Sequence, residues 1–222
     1  MLRIDFVRQA LRARVAHLAS LAIASALLTA IPPQSGSARA QEAPPLPDPV
    51  PVTLDASTTA YLVLDMNDRV CLQYPACVDS IGTVARFLDR AREAGALVVY
   101  STTTGGNVLP EVAPREGEPV VTGRSDKFYQ TDLADILASH GIQTAVLVGV
   151  SANGAVLYTS FQANLRGYTV VVAQDGISSP DDFTTYVAQY QLLHEPGFAN
   201  ADNTPLAEAR VTLSRTDLIS FR

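Results

Sequence analysis

A three-layer α/β fold of Rossmann type, a doubly wound parallel sheet with helices on both faces, is the architecture this sequence predicts. Three observations point to it. Short apolar runs of strand type alternate with helical segments along the chain. The runs are continuously apolar rather than alternating, which is how strands covered on both faces read. Glycines stand where the helical segments should stop, at Gly95, Gly141 and Gly167. Right-handed crossovers between the strands then give the doubly wound order.

The elements follow in turn. Residues 60–65 (AYLVLD) read as the first strand. Residues 79–94 repeat apolar side chains at Ile81, Val84, Phe87, Leu88, Ala91 and Ala94, the spacing of one helix face. ALVVYS at 96–101 is a strand, 131–140 a helix, and TAVLVG at 144–149 a strand. A helix is expected over 153–166, a strand at YTVVVA (168–173), a helix over about 181–194 and a last strand at RVTL (210–213).

The N-terminus carries a different pattern. Arg3, Arg8, Arg12 and Arg14 precede an apolar run from Leu18 to Ile31, and Ala38-Arg39-Ala40 follows. A basic region, a short apolar region and an A-x-A site predict a secretory signal peptide over 1–40, cut after Ala40. The absence of an Arg-Arg pair favours the general secretory route, to the periplasm or the extracellular space. An uncleaved membrane anchor is the alternative, though a spanning helix needs about 20 apolar residues. Residues 41–54 are rich in proline and read as an extended linker or arm. Residues 55–222 are then one domain.

Without the leader's five arginines and one aspartate, the net charge falls from −6 to −10. So acidic a domain, with no basic run, is a poor binder of nucleic acid. Cleavage would also remove the only candidate for membrane attachment. Cys71 and Cys77 are the only cysteines. In an oxidising compartment they are most simply a disulfide, and a nucleophilic thiol is the alternative. His140 and His194 stand at no ligand spacing from a cysteine or from each other, so no metal site is expected.

Ligand sites in such folds gather at the carboxyl ends of the strands. Asp65 ends the first strand, where a carboxylate needs a partner unless it merely caps a turn. Lys127 is the only lysine beside 15 arginines. A compact ammonium suits a tight site next to a carboxylate, where a planar guanidinium would not fit. The run Gly149-Val150-Ser151-Ala152-Asn153-Gly154-Ala155 leads a strand into a helix through small residues. The first N–H groups of that helix lack partners and can face an anion. Asn153 could equally be a plain N-cap.

Together LVLDMND, SDKFYQTDL and GVSANGAVLYTSFQANLRGYTVVVAQDGISS resemble the isochorismatase-like, or cysteine hydrolase, family over about residues 59–180. The long third motif, with Arg166-Gly167-Tyr168 and Asp175, is the specific one. The resemblance implies the three-layer fold and a hydrolase acting on a small molecule without a cofactor. It makes Asp65 the general acid or base and Lys127 its partner. It places the nucleophile position at Ala155, and an oxyanion site on the backbone of Val150, Ser151 and Ala155, with a cis peptide at Val150–Ser151. Substrate contacts are assigned to Asn153, Phe128 and Tyr129.

The chain departs from the family at Ala155, where most members carry the nucleophilic cysteine. It also has Ser101-Thr102-Thr103-Thr104 where metal-binding members have Asp-x-His, so the resemblance implies no metal. Some family members that hydrolyse a vinyl ether dispense with the thiol, using the aspartate as proton donor.

Three functions follow. The first is an exported, cysteine-independent hydrolase using Asp65. The second is a small-molecule-binding homologue that kept the pocket and lost activity. The third is a serine hydrolase built on Ser151, Asp175 and His194, whose chain order matches the α/β-hydrolases but whose G-x-S-x-N lacks the second glycine. The composition is compatible with a homo-oligomer.

Overall fold

The computed structural model describes residues 42–222. The chain divides into two units, Met1–Pro44 and Pro45–Arg222, and the account below concerns the second. The expected signal peptide and its cleavage site lie outside the described residues.

Six parallel strands form the main sheet, in the order β4-β3-β2-β5-β6-β7. They are β2 (Thr59–Leu64), β3 (Leu97–Thr102), β4 (Val120–Thr122), β5 (Thr144–Val150), β6 (Thr169–Ser178) and β7 (Val211–Ser214). A separate parallel pair joins β1 (Val52–Leu54) to β8 (Ile219–Phe221). The helices are α1 (Pro75–Glu93), α2 (Leu133–Ser139), α3 (Leu157–Leu165) and α4 (Asp182–Leu193). This is the doubly wound α/β fold that the alternating pattern predicts.

The two faces of the sheet are read by alternate residues. Tyr61, Val63, Val98, Tyr100, Val146, Val148 and Val171 point to one face, where Val84, Phe87, Leu88 and Ala91 of α1 cover them. Ala60, Leu62, Leu64, Val99, Leu147, Val170 and Val172 point to the other, under α2, α3 and α4. Period-two side chains on a strand buried from both sides explain why each run is apolar throughout. The central strand β2 is buried at every residue.

Several boundaries differ from those expected, for physical reasons. Helix α1 begins at Pro75 rather than 79; proline lacks only an N–H that the first turn leaves unused. Strand β6 runs on to Ser178 past the polar Gln174 and Asp175, through a shift in its register with β5. The helix expected from 153 opens instead as a π turn over Ala152–Val156 before α3. Ser151, not Asn153, occupies the N-cap position. Residues 52–54, at the end of the proline-rich segment, pair with the C-terminal strand. Strands β1, β4 and β8 were not foreseen; each is three residues long, too short for a periodic pattern.

Candidate functional site

The site is assembled at the carboxyl edge of β2, β3 and β5. Asp65 follows β2 immediately and does not extend it, contrary to the strand expected over 60–65. Its φ is +51°, the left-handed region that aspartate tolerates better than most residues. Its N–H still donates to the Ser101 carbonyl (3.1 Å), while its carbonyl accepts from Asn67 N–H at 2.7 Å. The chain thus turns sharply at the sheet edge. Beside it, Gly149 on β5 has φ +118°, and a Cβ there would fall 1.9 Å from the Leu64 carbonyl oxygen. Only glycine lets β5 press so close to the end of β2.

Lys127 reaches Asp65 from the loop between β4 and α2. Its Nζ donates to both carboxylate oxygens, at 2.8 and 2.7 Å, and to the Gly123 carbonyl at 3.3 Å. All three ammonium hydrogens therefore have acceptors. Lys127 is fully buried and Asp65 is 5% exposed. Ser101 Oγ donates to Asp65 Oδ1 at 3.2 Å. Burial raises the Asp65 carboxyl above its ordinary value, and the Lys127 charge and the two side-chain hydrogen bonds offset this only in part. The result is a carboxyl of raised proton affinity, held in one orientation.

The lysine loop is tied to the strand–helix turn. Lys127 N–H donates to Thr159 Oγ1 (3.2 Å), one helical turn beyond Ala155. The Val150–Ser151 peptide is cis. The Ser151 carbonyl accepts from Gly154 and Val156 N–H groups at 3.0 and 3.2 Å, and Ser179 Oγ takes the Asn153 N–H at 3.3 Å. None of these bonds uses the N–H of Ala155, which is left at the head of the helix where negative charge would be favoured. A Cβ on Gly154 would lie 2.6 Å from Ser151 Oγ, so a larger residue there would push the serine hydroxyl aside.

Behind Asp65, Cys71 and Cys77 form a disulfide between the short 3-10 turn Cys71–Gln73 and the start of α1. Cys77 Sγ lies 3.5 Å from Met66 Sδ, and Cys71 N–H donates to the Asn67 carbonyl at 3.0 Å. The bridge thus braces the segment that follows Asp65. Both cysteines of the chain are spent in it, and no free thiol remains.

The other expected residues are placed as follows. Asn153 accepts from Ser179 Oγ through its side chain at 3.2 Å. Phe128 is buried, with its ring 6.2 Å from that of Tyr168 and the Arg166 guanidinium 4.6 Å above it. Tyr129 is exposed. Asp175 binds Thr216 through its N–H and hydroxyl, at 2.8 and 2.7 Å. His194 sets its Nδ1 against the Tyr190 carbonyl at 2.7 Å on the surface. Asp175 and His194 thus have other partners, and among the described residues no hydrogen bond joins Ser151, Asp175 and His194 into a relay. Ser101, Gly123 and Thr159 were missed; Ser101 could have been found, because it pairs with Leu64 in the ladder and so ends beside Asp65. Among the described residues, no group of three or more His, Cys, Asp or Glu gathers as a metal site would require.

Comparison with known proteins gives the family and the fold. The family model described as the isochorismatase domain matches residues 59–199. A secreted isochorismatase effector from Verticillium dahliae is 37% identical over 89 residues, 40% of this chain and 47% of that protein. A maleamate amidohydrolase from Pseudomonas putida is 26% identical over 132 residues, 47% of this chain and 62% of that protein. The chain therefore aligns with only about half of the length of these relatives. Among solved structures, an isochorismatase family protein from Burkholderia thailandensis superposes with a TM-score of 0.63 at 20% identity, covering 77% of this chain and 96% of that one. At that identity the likeness establishes the fold.

Proposed function

Because the chain belongs to the isochorismatase family, we propose that it is an exported hydrolase of a small acidic or carbonyl-bearing molecule, working without a cysteine nucleophile. The observation that carries this reading is the buried Asp65–Lys127 pair at the sheet edge, in a chain whose only two cysteines are joined to each other. Asp65 is the proton-exchanging group. Burial raises its proton affinity while Lys127, donating to both of its oxygens, favours the carboxylate, which suits a group that works as general acid or base. Lys127 positions Asp65 and balances its charge once the proton has left. With its three hydrogens engaged, it binds a substrate anion only by giving up Gly123. The Ala155 N–H faces developing negative charge.

For a vinyl ether the steps balance without a thiol. Asp65 protonates the terminal alkene carbon, and water adds to the neighbouring oxocarbenium carbon. The proton released by that water returns to the Asp65 carboxylate, and the hemiketal then breaks down to a carbonyl and an alcohol. Export is supported by the leader pattern and by the name of the Verticillium relative as a secreted effector.

A second reading, a binding homologue without turnover, is favoured by two observations: Ala155 offers no nucleophile and Lys127 no free donor. Purified mature protein assayed against vinyl ethers, amides and esters, with Asp65→Asn in parallel, separates the two. Turnover lost in the variant supports the hydrolase. No turnover on any class, with a ligand that still raises the melting temperature, transfers the site to binding.

A further inference from the structure

Glu195 follows the end of α4 and is 4% exposed. Neither of its carboxyl oxygens has a hydrogen-bond partner. Among the described residues no other buried carboxyl is left in that condition. Such a group stays in a fold at a cost, because buried polar atoms are nearly always paired. Burial alone pushes its titration up to about 8.

Glu195 lines a groove of about 300 Å³ between α3 and the end of α4. Leu157, Tyr158 and Phe161 form one wall, and Gln191 and His194 stand opposite. Tyr158 is 54% exposed. The Phe161 ring meets Phe198 edge-on at 6.1 Å, and His194 stacks on Tyr190 at 4.0 Å. Among the described residues no lysine or arginine lines the groove; its titratable side chains are Tyr158, His194 and Glu195. None of its lining belongs to the Asp65 site.

We propose that this groove binds a small organic ammonium ion, an arylalkyl- or alkylamine whose N–H groups pair with the Glu195 carboxylate while its apolar arm lies against Tyr158 and Phe161. An unpaired carboxyl calls for a partner that brings both positive charge and donors. Aromatic walls attract a cation and accept its hydrocarbon arm. Anions are disfavoured here, and a neutral apolar ligand would leave the carboxyl unpaired. The oxygens are closed to water, so the side chain turns toward the groove as the ligand enters. Near neutral pH Glu195 holds its proton, so each ammonium ion bound as a salt pair releases one proton to the buffer.

The test is calorimetric titration of the mature protein with phenethylamine, with 2-phenylethanol as the neutral control. The amine keeps its charge to about pH 10, as lysine does. Its affinity should therefore rise roughly tenfold per pH unit between pH 6 and 7, with close to one proton released per site. His194→Gln, which removes the neighbouring imidazole from the groove, should leave this pH dependence in place. Glu195→Gln should abolish the pH dependence and weaken the amine at least tenfold while leaving the alcohol unchanged. Equal binding of amine and alcohol, or pH-independent binding without proton release by the unaltered protein, overturns the proposal. So does a self-associated protein that binds no amine and comes apart on Glu195→Gln, which would give the groove to a second copy.

Discussion

Two carboxyl groups, Asp65 and Glu195, are buried almost equally, at 5% and 4% exposure, and their surroundings are opposite. Asp65 is enclosed by an ammonium, a hydroxyl and a disulfide-braced turn. Glu195 has walls but no partner. Burial raises both, but at Asp65 a built counter-charge restrains the shift, whereas at Glu195 nothing does. The difference separates a group held ready to exchange a proton from one that waits for a partner. Burial alone identifies neither; the partners do.

The largest expected effect comes from making Asp65 resemble Glu195. Lys127→Ala strips the buried carboxyl of its counter-charge and should destabilise the fold by about 3–5 kcal/mol at pH 7. With the ammonium gone, Asp65 takes up a proton more readily, so the loss should shrink as pH falls toward 4. Urea denaturation at the two pH values checks this, and an equal loss at both would mean the two groups do not act as a pair.

Next in size is the brace. Replacing both cysteines with serine opens a short loop and should cost about 2 kcal/mol by the chain-entropy relation. The effect on turnover should exceed what the stability loss explains, because the loop holds the segment after Asp65. Turnover unchanged at a temperature where the variant is fully folded would reduce the bridge to a stability device.

The effect at Glu195 depends on pH. Its folded titration, about 8, lies above the ordinary value of 4.5. The folded state therefore binds the proton more tightly, and the stability this contributes is full below pH 4.5 and lost as pH rises through 8. Glu195→Gln should be nearly neutral at pH 5 and stabilising at pH 9. Thermal unfolding across that range tests it; a variant destabilised equally at both pH values would show that Glu195 has a structural partner after all.

The comparison also marks how far the amino-acid pattern reaches. Five of the six strands of the main sheet were legible, because β2, β3, β5 and β6 are continuous apolar runs whose burial needs helices on both faces and β7 follows the last helix. Asp65 and Lys127 were legible as an isolated carboxylate after a strand and a solitary lysine, and the long third motif located the turn at 150–155. The extension of β6 was not, since Gln174 and Asp175 interrupt its apolar run and only the register with β5 carries it forward. Nor was the π turn, because Asn153 in a small-residue segment looks like a cap. Glu195 gave no signal: His-Glu-Pro-Gly after a helix reads as a solvated turn, and its isolation arises from how α3 packs beside α4. The engaged state of the Lys127 hydrogens depends on the Gly123 carbonyl, a backbone atom no residue pattern announces.

The central claim is that Asp65, and no thiol or serine, moves the proton. On the best substrate found, the ratio of kcat/KM for Asp65→Asn and Ser151→Ala tests it most directly, with each variant first shown to be folded. The account predicts that Asp65→Asn loses at least a hundredfold, since an amide cannot exchange the proton and general acid–base catalysis contributes roughly 10²–10⁴-fold. Ser151→Ala should stay within about threefold of the parent, because only its backbone is used. Activity lost with Ser151→Ala and kept with Asp65→Asn would contradict the claim.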